Sequence, residues 1–186
     1  MPDNIFRKAA RCYLRWRHTR GFGVHSPFAF RLQQQVVRPG DVTYYGYRDI
    51  DQALDENAST RIRSEARMLL RLAVFLRPKS VFLSHGAHPA YHSAVKAAGS
   101  AITIERRPHR AASCDLICFR ADALPLEEMT AYLADGEHAL AVVDIPDGWV
   151  RSIADSMPEG LVIHSLRNAL FIVRRDMRRV EYTMNV

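Results

Sequence analysis

Apolar residues recur at helical spacing through the first part of the chain and gather into short continuous runs in the second, with the change near residue 78. Over 4–18, Ile5, Ala9, Tyr13 and Trp16 share one helical face, with Phe6, Ala10 and Leu14 alongside and basic residues over most of the rest. Asp3 or Asn4 is placed to cap that helix, and Gly21 and Gly23 end it. Ser26-Pro27 opens a second helix, since serine accepts from the orphan amides and proline loses nothing at the first helical position. It carries Phe28, Phe30, Leu32 and Val36 and stops before Pro39-Gly40. The stretch 41–59 reads as polar turns with Tyr44, Tyr45 and Tyr47 clustered in it. A third helix starts at residue 59 or 60 and runs to 76, with Ile62, Ala66, Leu69, Leu70 and Ala73 in period and Pro78 closing it.

From residue 79 the pattern alternates. Strands are predicted at 80–84, 101–105, 115–119, 139–145 and 161–164, and helices at 89–98, 126–134 and 150–157. The run over 139–145 is apolar throughout, which suits a strand buried on both faces. Two last strands, 169–173 and 180–184, flank the polar stretch 174–179 and read as a hairpin. Alternation followed by a hairpin predicts an α/β fold with a doubly wound, mostly parallel sheet and an antiparallel end. Residues 1–78 are then an N-terminal helical extension packed on a core formed by 79–186, one compact domain overall.

Composition supports a single packed unit. At 186 residues the chain is one domain long, and 48% hydrophobic with 25% charged residues rules out a disordered polymer. No apolar run reaches the ~20 residues of a membrane-spanning helix. Arg7, Lys8, Arg11, Arg15 and Arg17 interrupt every stretch that would serve as the apolar part of a signal peptide, so the expected compartment is the cytoplasm. Cys12, Cys114 and Cys118 fit reduced thiols better than a disulfide framework. The formal charge of +6 is uneven: residues 1–48 hold nine Lys/Arg against two Asp/Glu, and the remainder holds 17 against 18. A basic arm of this kind suits an anionic partner such as nucleic acid or a membrane surface, and equally a solvated helix face.

In open parallel sheets, ligands sit beyond the carboxyl ends of the strands where strand order reverses. That rule singles out Ser84 to Pro89, Glu105, Asp122 and Asp144 to Asp147. The loop Ser84-His85-Gly86-Ala87-His88-Pro89 has one glycine where a cofactor-cradling loop normally has several, and it also reads as a plain turn. Glu105 lies 21 positions past Ser84, an offset that suits a carboxylate accepting from ribose hydroxyls or a solvated strand-end acid. Asp122 is placed to accept from an adenine amine or to cap the next helix. Asp144, before Ile145-Pro146-Asp147-Gly148, suits a general base, a metal ligand or turn chemistry. His85, His88 and His92 cluster but do not share one element, so no metal site is assigned to them.

The segment Arg20-Gly21-Phe22-Gly23-Val24-His25-Ser26-Pro27-Phe28-Ala29-Phe30, just after a basic aromatic helix, resembles the N-terminal signature of a group of bacterial class I methyltransferase-like proteins that use S-adenosylmethionine (SAM). The "GVHSPF" block is the specific part, and the rest of the chain matches by layout. The resemblance implies a Rossmann-like core, with the 169–173 and 180–184 pair similar to the antiparallel end of that fold. In the family the loop after the first strand commonly reads Asp-x-Gly-x-Gly. Here Ser84 stands in place of the acid, Gly86 is kept, and His88 stands in place of the second glycine.

The resemblance implies a SAM site formed by Ser84, Gly86, His88, Glu105 and Asp122, with Asp144 on the acceptor side as the candidate catalytic residue. Metal-using relatives carry acids after the fifth strand, where this chain reads His164-Ser165-Leu166, so no metal is expected. Three functions follow as expectations. The first is a SAM-dependent methyltransferase with an altered cofactor loop, in which Tyr44, Tyr45 or Tyr47 lends a ring face to the sulfonium. The second is an inactive methyltransferase-fold binding module, whose partner is a protein or nucleic acid held by the basic arm. The third, disfavoured by the missing glycines, is a nicotinamide-cofactor protein.

Overall fold

The computed structural model describes residues 3–21, 23–55, 58–84, 87–106, 114–134, 136–146 and 148–184, and the side chains of all of these but 3–9 and 11. Helix α1 spans Asp3–Thr19. Gly21 and Gly23 then turn the chain with φ of 85° and 80°. Ser26 caps α2 (Pro27–Leu32), its hydroxyl accepting from the Ala29 amide at 3.3 Å. The α2 axis continues as one π-helical stretch, Gln33–Val37, and ends before Pro39 as the proline requires. The segment expected to be all turns contains a short helix, α3 (Gly46–Gln52). It forms because Ile50 is fully buried and the two tyrosine rings beside it, Tyr44 and Tyr47, pack 5.5 Å apart. Tertiary packing thus overrides a polar, turn-rich local sequence. Helix α4 (Thr60–Leu76) is capped by the Ser59 hydroxyl, which accepts from Ile62 N at 3.2 Å.

The second part supplies β1 (Ser80–Leu83), α5 (Pro89–Ala98), β2 (Thr103–Glu105), β3 (Leu116–Arg120), α6 (Leu126–Ala134), β4 (Ala139–Val143), α7 (Trp149–Ser156), β5 (Leu161–His164), β6 (Ala169–Ile172) and β7 (Val180–Thr183). They form one seven-stranded sheet in the order β2-β1-β3-β4-β6-β5-β7. Strands β2, β1, β3 and β4 are parallel neighbours, and β5 and β7 are parallel to each other. Strand β6 alone runs the other way, antiparallel to both β4 and β5. The fold is therefore α/β and Rossmann-like, with a mostly parallel sheet and one antiparallel hairpin.

The partners in that hairpin differ from those expected. The 169–173 segment does not pair with 180–184; β5 and β6 form the hairpin through residues 165–168, and β7 joins the far side of β5. Burial explains the choice. All four residues of β6 are buried, which needs a neighbour on each side, whereas β7 alternates, with Glu181 exposed, as an edge strand should.

Side chains alternate through the sheet into two apolar layers. Val81, Leu83, Leu116, Ala139, Leu161 and Ile172 face a layer with Ala29, Leu32, Val36, Leu69 and Leu72, so the N-terminal helices complete this face of the core. Phe82, Ile117, Leu140, Val162 and Phe171 face the other, with Met129, Leu133 and Ile153. No helix among the described residues is long and apolar enough to cross a membrane.

The "GVHSPF" block has a structural role at this level. Val24 is buried, the His25 amide donates to the Tyr182 hydroxyl at 3.3 Å, and Ser26 starts α2. It ties the end of α1 to the edge strand β7.

Candidate functional site

Strand order reverses between β1 and β3: the chain leaves β1 for β2 on one side and returns to β3 on the other. Beyond the carboxyl ends of these two strands lies a cleft of about 670 Å³. Its floor is Ser84, Cys118, Phe119 and Arg120, the α5 start gives Ala87, His88, Pro89 and Tyr91, and the α4 start gives Ser59, Arg61, Ile62 and Glu65. Asp122, Ala123 and Val143 complete it. Its volume falls within the range of small-molecule sites, roughly 300–1,000 Å³.

The structure brings some of the expected residues together here. Ser84 is buried, its carbonyl accepting from Ala87 N at 3.0 Å in the turn into α5. His88 caps α5, its Nδ1 accepting from Ala90 N at 3.1 Å, so its proton resides on Nε2 when the ring is neutral. The imidazole stands on the cleft wall. Asp122 lies in a 3₁₀ turn (Ala121–Ala123) at the rim, exposed, with Arg120 Nε at 3.5 Å. Glu105 ends β2 opposite Phe82 of β1, half-buried, and is not among the cleft-lining residues. Gly86, His85 and Asp147 lie outside the described residues.

Asp144 follows β4 with φ of 56°, a left-handed conformation that aspartate tolerates better than most residues. Its carboxylate is held from both sides. Arg61 Nη2 donates to Oδ1 at 2.6 Å, and Arg120 Nη1 stands 3.3 Å from Oδ2. Each oxygen of this carboxylate thus has a guanidinium beside it, while the side chain stays 30% exposed.

The organising group is one the sequence reading passed over. Glu65 of α4 is buried and accepts from Arg61 Nε at 2.7 Å and from the Tyr91 hydroxyl at 2.6 Å. A chain of polar contacts therefore runs Tyr91, Glu65, Arg61, Asp144, Arg120, Asp122 across the cleft. Burial and then the Glu65 hydrogen bond hold the Tyr91 phenol far above its ordinary range, so it remains a donor. The bonds to Glu65 and then to Asp144 raise Arg61 further, fixing its charge. Burial pushes the Cys118 thiol up to about 12, which leaves it protonated at neutral pH. A sequence signal existed: Glu65 lies four residues before Leu69, on the apolar face of α4, where a lone carboxylate needs a partner.

The tyrosine cluster at 44–47 lies elsewhere. Tyr45 is fully exposed, and the Tyr47 hydroxyl accepts from Arg71 Nη1 at 2.8 Å while its ring lies under Arg67. None of the three lines the cleft; Tyr91 supplies the aromatic wall instead. His92 lies further along α5, its Nδ1 buried with no hydrogen-bond partner, and burial lowers its pKa. No group of three or more His, Cys, Asp or Glu among the described residues is arranged to hold a metal ion.

Across the Arg61–Asp144 pair a second cleft of about 480 Å³ opens, sharing Arg61 and Glu65 with the first and bounded by Arg15, Ser64 and the 165–168 hairpin loop. The Ser165 amide donates to Asn168 O at 2.8 Å and shapes that loop. Two ligand-sized spaces thus meet at one ion-pair network. Searches of family models, of curated proteins and of solved structures give no match to this chain.

Proposed function

We propose that the chain is a SAM-dependent methyltransferase-type domain, with the cofactor in the switch-point cleft and the acceptor in the adjoining one. The observation that carries this reading is the 670 Å³ cleft at the β1–β3 reversal, with Ser84, His88 and Asp122 on its walls. Reversal points are where open α/β sheets bind nucleotide-like ligands, and the Arg20 to Phe30 segment favours methyl over hydride transfer.

The residues present fit an adenosyl ligand in part. Asp122 suits an adenine amine at the rim, Ser84 and the Arg61 guanidinium suit the amino-acid end, and the Tyr91 ring suits a neighbouring cation. Glu105, which the resemblance assigns to the ribose, ends β2 and does not line the cleft. When bound, SAM supplies a methyl group on a positively charged sulfur. The protein's own part is alignment, exclusion of water and electrostatics. Glu65 and Asp144 stand between the two spaces in an ion-pair network balanced by Arg61 and Arg120. Asp144 in this role positions and stabilises, its two oxygens shared with Arg61 and Arg120.

The doubly held Asp144 and the His88 ring favour a second reading, a domain that retains cofactor but transfers nothing. Isothermal titration with SAM and with its demethylated product separates the cases. Micromolar binding of both is expected, and His88→Gly, which empties the wall at little cost to the helix cap, should tighten it several-fold. No heat at millimolar ligand for either the wild type or His88→Gly would refute the reading. Binding without methyl transfer to any acceptor would select the second.

A further inference from the structure

We propose that α1 carries a binding stripe for single-stranded nucleic acid on the face turned away from the sheet. Tyr13, Trp16 and Arg17 fall at spacings of three and four, on one side of the helix, and Arg20, just past its end, lies against Trp16. The two rings lie near-parallel, 18° apart with centroids at 6.2 Å. Arg17 stands 5.7 Å from the Tyr13 ring centre and Arg20 stands 4.5 Å from that of Trp16. Both rings remain open to solvent, Tyr13 at 58% and Trp16 at 47% of their surface. The reverse face of the helix is the docked one, where His18 meets the Tyr182 ring edge-on at 5.3 Å. Arg17 and Arg20 thus share one exposed surface with the two rings.

The chemistry of that surface selects its partner. Exposed rings beside guanidinium planes are what unpaired bases stack on, and the same guanidiniums neutralise phosphates. Asp3, at the far end, is the only acidic residue in α1, and the first 48 residues carry nine Lys/Arg against two Asp/Glu, so the surrounding field is positive. A membrane-seeking helix segregates a broad aliphatic face from its cations. Here Arg17 and Arg20 share the exposed face with the rings, each guanidinium set against a ring. Duplex DNA keeps its bases stacked on each other and offers the rings nothing. The inference rests on α1 alone and stands or falls independently of methyl transfer.

The test is fluorescence anisotropy of a labelled oligothymidylate of about 20 nucleotides, with the full chain, at about 50 and about 200 mM salt. Binding that weakens steeply with salt is expected, with quenching of Trp16 emission. Trp16→Ala and Tyr13→Ala should each weaken binding about ten-fold, and Arg17→Ala and Arg20→Ala should flatten the salt dependence. All four sites are at the surface, and unchanged thermal melting certifies that the variants fold. Absence of binding at low salt overturns the proposal. So does equal binding of a same-length duplex or of phosphatidylserine vesicles with the ring variants unaffected, which would leave plain charge attraction.

Discussion

Replacing Glu65 with alanine probes the network that joins the two clefts. The carboxylate is 9% exposed and accepts two hydrogen bonds, from Tyr91 Oη at 2.6 Å and from Arg61 Nε at 2.7 Å. Without it, the largely buried Tyr91 hydroxyl loses its acceptor, a penalty of about 1–3 kcal/mol. The Arg61 half contributes less, under ~1 kcal/mol, because its side chain is 35% exposed and keeps Asp144. The sum is ~2–3 kcal/mol, which for a domain of this size lowers Tm by roughly 5–10 °C. Glu65→Gln should cost about half as much, since the amide oxygen still accepts from Tyr91. The assay is urea and thermal unfolding by circular dichroism of Glu65→Ala, Tyr91→Phe and the double variant. A coupling of about 1 kcal/mol is expected, and effects that add within ~0.3 kcal/mol would refute the bond as a source of stability. A Glu65→Ala loss below ~1 kcal/mol would refute the whole account.

Two further outcomes follow from particular positions. Gly160 has φ of 122°, and a Cβ there would stand 2.1 Å from the Ile172 carbonyl oxygen, so Gly160→Ala should cost ~3 kcal/mol or more; a variant melting within a degree or two of wild type would disprove the close approach. His18 and His92 both have pKa values lowered by burial, so their contribution to stability is intact above the unfolded value of about 6.5 and is lost as pH falls through their lower folded values. Tm should drop on acidification across that window, and His92→Asn should make the drop shallower; an identical pH profile would remove His92 from the effect.

Helix α5 begins at Pro89 and α6 spans 126–134 as the sequence predicts, because a proline at the first helical position and a clean apolar period are local signals. Strand pairing was less legible. The expected hairpin joined the last two apolar segments because they are adjacent in sequence, yet the stronger cue was composition: Ala169 to Ile172 has no polar residue, while Val180-Glu181-Tyr182-Thr183 alternates. Of the candidate site, the strand-end rule located Ser84, His88 and Asp122 at one cleft, and Glu105 is not among its lining residues. Arg61 and Glu65 escaped because they come from α4, in a segment whose period reads as core packing, and only the folded sheet brings Asp144 to them. Asp144 read alone suits a base, a metal ligand or a turn; in the fold each of its oxygens stands beside a guanidinium.

The reversed strand β6 also dictates an order of assembly. Ala139 of β4 pairs with Ile172, so the neighbour that covers β4 is not the next strand but the one after it. Until the chain through residue 172 is present and the 165–168 loop has closed, β4 presents the apolar edge Ala139 to Val143 to its surroundings. A short hairpin forms within microseconds, whereas docking it onto β4 is a slower, non-local event. An exposed apolar edge in that interval is a template for another copy of the chain. Substitutions that weaken the Ser165–Asn168 turn should thus act first as aggregation mutations during synthesis, before any loss of stability in the finished fold is felt.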